Sequence, residues 1–116
     1  MSKSTFMNSM LLDFYGKLLT DKQREYYDLH YNEDLSLSEI AEQSGISRQG
    51  VWDIISRAEK TMMDMEEKTG FIDKFNERRA SINRIQEQLE KLKVVGNDES
   101  IELIEKIEKE LEGLEG

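Results

Sequence analysis

Apolar residues recur at three- and four-residue intervals along most of the chain, while the two-residue alternation of a half-buried strand does not recur. The pattern predicts a first helix from Ser4 to Leu19, with Met7, Met10, Leu11, Phe14 and Leu18 on one core-facing side. Thr20 with Gln23 forms a capping-box pattern that opens a second helix carrying Tyr26, Leu29 and His30. Ser36 with Glu39 opens a short third helix through Ile40 and Ala41, and Gly45 supplies the left-handed residue that ends it. Ser47 caps a fourth helix that meets no stop before Gly70. Beyond that glycine, Phe71, Phe75, Arg78, Ile82, Ile85, Leu89 and Leu92 step by four and three residues, a heptad seam with one arginine in it. Gly96 ends this helix, Asn97 or Asp98 caps the next, and Ile101, Ile104, Ile107, Leu111 and Leu114 share a face of the last one. Glu102 with Lys106 and Glu105 with Lys109 support its exposed side.

The elements predict an all-α chain in two parts: residues 1–69 as a helix-turn-helix domain with its N-terminal helix, and residues 70–116 as a long antiparallel helical hairpin. The first hairpin arm is longer than the second and leaves surplus apolar surface. Either the helix-turn-helix part or a second copy of the chain covers it; a heptad seam favours the second copy, so a homodimer is expected.

A helix-turn-helix needs a small residue where its helices touch, a glycine in the turn and apolar residues locking the second helix. Ala41 and Gly45 fill the first two roles, and Ile40, Ile46, Val51 and Ile54 the third; Ser44 departs, since an apolar residue is usual there. The second helix then presents Ser47, Arg48, Gln49, Trp52, Asp53, Ser56, Arg57 and Lys60 as candidate DNA contacts. Arg48 suits guanine, Gln49 suits adenine, and Ser47 and Lys60 suit phosphates. Asp53 accepts from cytosine or repels the backbone. The bland alternative is a solvated first helical turn. Trp52 is large for a bare surface position, and packing against a helix or a partner suits it better. With Met62, Met63 and Met65 it makes an alternative partner-binding set, although methionines at such positions are ordinarily packing material.

The stretch "LTDKQREYYDLHYNEDLSLSEIAEQSGISRQGVWDIISRAEK" resembles region four of bacterial sigma factors. With "MLLDFYGKLLTDKQREYYDLHY" before it, the resemblance extends to the YlxM family, here with a methionine-rich extension and acidic C-terminal helices. That resemblance implies a small cytoplasmic helix-turn-helix protein, encoded beside the signal recognition particle GTPase and its receptor, with a regulatory or accessory role in protein targeting. It implies no catalytic residue.

Charge complicates a DNA-binding reading. The 116 residues carry a formal charge of -9, and residues 21–66, with five basic and eleven acidic side chains, are the most acidic stretch. Phosphate neutralisation supplies most non-specific affinity, so this is the wrong sign for a general nucleic-acid coat. Other chemistry is thinly represented. There is no cysteine, His30 is the single histidine and reads as a partly buried helix residue, and no phosphate loop or nucleophile motif occurs. A non-enzyme without metal or cofactor is expected. No apolar run reaches the ~20 residues of a membrane span, and a cytoplasmic protein without membrane insertion is the simplest expectation.

Two functions stay open. One is a DNA-binding regulator linked to the signal recognition particle pathway, whose dimer would set two reading helices on half-sites roughly 34 Å apart. The other is an interaction module for the signal recognition particle GTPase or its RNA complex, with an acidic surface facing a basic partner.

Overall fold

The computed structural model describes residues 5–115, among which there are six α-helices: α1 Thr5–Tyr15, α2 Asp21–Tyr31, α3 Leu37–Ser44, α4 Arg48–Thr69, α5 Phe71–Val95 and α6 Asp98–Glu115. A 3₁₀ turn, Gly16–Leu18, joins α1 to α2. Ser4, where the sequence begins the first helix, lies outside the described residues. The chain divides into two compact units, Met1–Ile72 and Asp73–Gly116. The division falls just past Gly70 because Ile72 is fully buried and its N–H donates to Glu66 Oε1 at 2.9 Å, which ties the start of α5 to the first unit.

Local signals end the helices where the sequence puts their caps. Thr20 and Ser36 each accept from the backbone N–H three residues on, and Gln23 and Glu39 reach back to the capping residue's N–H. Hydrogen bonds to Ser36 hold the Glu39 carboxyl below its ordinary range. Gly45 and Gly70 end α3 and α4 in the left-handed region, with φ of 73° and 64°. Asn97, rather than Asp98, caps α6: its Oδ1 accepts from Ser100 N–H while Ser100 Oγ accepts from Asn97 N–H, both at 2.9 Å. Gly96 ends α5 for a different reason, since its φ is not left-handed. A Cβ there would lie 2.5 Å from Ser100 Oγ, so a side chain would have to push the capping hydroxyl aside.

In the first unit α4 is the spine, packed by α1, α2 and α3. Leu11, Tyr27, Ile40, Val51, Ile55, Ala58, Met62 and Ile72 are wholly buried. The core-facing side of α1 is rotated from the expected one. Asn8, Leu11 and Tyr15 form the buried row with Met10, while Phe14 and Leu18 are exposed. Two contacts explain the rotation. Tyr27 Oη donates to buried Asn8 Oδ1 at 3.3 Å, and Tyr15 bonds to the end of α4. The 3₁₀ turn also takes Leu18 off the α-helical register. His30 is half-buried, with Nδ1 2.8 Å from the Leu35 carbonyl, where an Nδ1–H donates.

The second unit is an antiparallel pair. Ile82, Leu89, Ile104 and Leu111 form its buried cluster. Lys93 Nζ reaches Glu108 at 2.8 Å, and Gln86 donates to Glu115 at 3.1 Å. The first pairing holds the Glu108 carboxyl below, and the Lys93 ammonium above, their ordinary ranges.

Candidate nucleic-acid interface

The turn between α3 and α4 is three residues, Gly45-Ile46-Ser47. Gly45 makes it possible, because a side chain at its positive φ is disfavoured, and Ser47 Oγ then accepts from Gly50 N–H at 3.0 Å to open α4. Ile40 and Val51 are wholly buried across this corner, with Ala41, Ile46 and Ile54 half-buried. Ile55, which the motif does not single out, is more deeply buried than Ile54. The three-to-four-residue step from Val51 to Ile55, Ala58 and Met62 is the signal that finds it.

The corner leaves the first turns of α4 open. Ser47, Arg48 and Gln49 are exposed, and Trp52 keeps 43% of its surface accessible. Arg48, Gln49 and Trp52 line a shallow open groove with Leu37 from the start of α3. Trp52 is therefore neither enclosed nor bare, with part of its ring against the motif and the rest presented.

The remaining candidate contacts do not join this tip as one basic patch. Arg57 lies nine residues from Arg48, two and a half turns on, and so on the opposite side of the helix axis. Its Nε pairs with Asp53 at 3.2 Å, and Lys60 pairs with Asp64 at 3.3 Å. Each is an i,i+4 pair on an exposed helix surface, and each cancels a cation that the sequence offers to phosphate. Arg48, by contrast, has no ion pair among the described residues. Ser56 is a correction to the expected surface: it is half-buried, and its hydroxyl is shielded with no hydrogen-bond partner.

The alternative contact set disperses as well. Met62 is wholly buried in the core of the first unit, where it packs rather than presents. Met63 is half-buried on Trp52's side of α4, about three turns away, and half-buried Met65 points to another side. Negative charge gathers on α3 instead, where Glu39, Glu42 and Gln43 line an open recess.

Among the described residues no group of three His, Cys, Asp or Glu side chains converges on a metal-sized site, and no helix is long and apolar enough to cross a membrane. The family model described as "Putative helix-turn-helix protein, YlxM / p13 like" (UPF0122) matches residues 1–107. A UPF0122 protein of Thermoanaerobacter sp. (strain X514) is 42% identical over 107 residues, covering 91% of this chain and 92% of its own. A UPF0122 protein of Bacillus cereus (strain AH187) is 43% identical over 109 residues, covering 94% and 97%. The chain belongs to this YlxM/p13-like helix-turn-helix family.

Proposed function

We propose that this family member is a regulatory protein that reads duplex DNA with the N-terminal tip of α4. In this reading Arg48 and Gln49 address base edges in the major groove, and Trp52 lies along the groove wall beside them. The observation that supports it is the state of Arg48: exposed, next to Gln49, and without the acidic partner that occupies Arg57 and Lys60. An arginine without an ion pair at this tip of an acidic chain makes a selective reader with weak non-specific affinity, since few phosphates are neutralised. The resemblance to YlxM proteins extends the proposal to the protein-targeting pathway of the signal recognition particle. The experiment is selection of a DNA site from a random pool, followed by titration of the native chain and Arg48→Ala. A base-reading Arg48 predicts roughly a tenfold or greater loss. Unchanged affinity for the selected site would sink the proposal.

A second reading has its own support in the carboxylates of α3. Glu39 and Glu42 beside Gln43 make an acidic recess suited to a basic, RNA-associated partner, such as the signal recognition particle GTPase or its RNA complex. Retention of that GTPase by the immobilised chain, lost on charge reversal at Glu39 and Glu42, supports this reading over DNA.

A further inference from the structure

The two helices of the C-terminal hairpin carry the same heptad, and the hairpin uses only half of it. Ile82, Ile85, Leu89 and Leu92 on α5 are spaced by three, four and three, and so are Ile104, Ile107, Leu111 and Leu114 on α6. The first and third of each set are at most 8% exposed and form the buried cluster. The second and fourth, Ile85, Leu92, Ile107 and Leu114, remain 41–61% exposed. In a self-sufficient two-stranded coiled coil both rows would close the seam.

The unused rows share one face. Moving seven residues back along α5 and seven forward along α6 leads from Lys93–Glu108 to Gln86–Glu115, so the helices run antiparallel in constant register. These polar pairs border the buried row on one side. The half-exposed row borders it on the other side in both helices, because it lies three residues after each buried position and the polar row four after. Val95 and Leu103, both well exposed, fall on the far flank of that half-exposed row. Of the large apolar residues the hairpin leaves exposed, only Val94 lies off this face.

We propose that this face is covered by the same face of a second copy of the chain, with α5 lying antiparallel against α6 of the partner subunit to close a four-helix bundle. The exposed row repeats the residue types and the seven-residue spacing of the row that already joins α5 to α6, so a second hairpin supplies a matching surface in the same register. Leu92 then meets Ile107 of the partner subunit, Ile85 meets Leu114 of the partner subunit, and Val95 rests against Leu103 of the partner subunit. Charge selects this arrangement over α6 packed on its own copy. The latter would set Glu110 beside Glu110 of the partner subunit, whereas α5 on α6 sets it beside Gln88 of the partner subunit. Two-helix pairs bury little alone, and antiparallel four-helix bundles close with this kind of packing. The proposal is independent of what α4 binds.

Light scattering on the full chain at tens of micromolar tests it. The expected mass is that of two chains, and Leu92→Glu combined with Ile107→Glu halves it while the helical circular dichroism stays, because both side chains are already exposed in the single chain. The chain has no cysteine, so introduced thiols report cleanly. A mixture of Val95→Cys and Leu103→Cys chains forms a disulfide-linked pair on mild oxidation, and neither variant does so alone. A monomer at these concentrations, a dimer that survives the double substitution, or linkage in the Val95→Cys chain alone would each overturn the proposal.

Discussion

The Tyr15 hydroxyl donates to Glu66 Oε1 at 2.6 Å, joining residues 51 positions apart in the chain. The Thr69 hydroxyl lies 2.6 Å from the same phenol oxygen and accepts from Phe71 N–H at 3.3 Å, while Glu66 Oε1 also accepts from Ile72 N–H. One side chain of α1 thus organises the end of α4 and supplies, through two acceptors, the free N–H groups of the first turn of α5. Tyr15→Phe removes a charge-assisted bond from a buried phenol, and urea denaturation is expected to show a loss of about 2 kcal/mol.

Alkaline solution should loosen the first unit through its tyrosines. Burial, then the nearby Glu59 carboxylate, pushes the Tyr31 phenol up to about 12, and the same two causes raise Tyr27. An unfolded tyrosine ionises near 10. The folded state therefore holds these protons more tightly than the unfolded chain. Their contribution is complete below about pH 10 and is lost as pH rises from there through 12. Thermal melts between pH 9 and 12 should fall along this window, and Tyr31→Phe should shallow the decline. A melting temperature flat across the window would contradict the burial of these phenols.

Asp53 restrains the candidate DNA face. Its carboxylate neutralises Arg57 at 3.2 Å on an exposed surface. Asp53→Asn removes a carboxylate one turn beyond Gln49 on the same side of α4, and on the DNA-reading proposal affinity for a selected site rises roughly fivefold at low salt, with a steeper salt dependence. Titrations at two ionic strengths measure both. A fall in affinity would show instead that Asp53 itself reads a base.

Ser56 separates stability from binding. Its shielded hydroxyl makes no hydrogen bond, so Ser56→Ala removes an unsatisfied polar group and adds helix propensity. The expected result is a gain of about 0.5–1 kcal/mol in denaturant titration with DNA affinity unchanged. Weaker DNA binding by this variant would return Ser56 to the contact surface.

Much of the architecture can be read from short-range chemistry. Thr20–Gln23, Ser36–Glu39, Ser47 and Gly45 mark helix ends through bonds that span three or four residues, and all sit where their local sequence puts them. Arg48 and Gln49 were legible for the same reason: the first turn after a helix-turn-helix corner is exposed by construction. Periodicity alone placed Met10 and Leu11 of the first helix in the core but misplaced Phe14 and Leu18. It ranked Phe14 and Leu18 above Asn8 and Tyr15 because it weighs apolarity and cannot see that a polar side chain will find a buried partner.

By itself, then, the sequence determined the helices, their caps, the helix-turn-helix corner and the heptads of the hairpin, all of which depend on neighbours within about two turns. Tertiary structure decided which side of α1 is buried, how α4 begins α5, that Met62 is core and that Ser56 turns inward. It also showed which heptad row the hairpin closes and which it leaves open. These depend on contacts between residues tens of positions apart, where burial and hydrogen-bond satisfaction outweigh local preference.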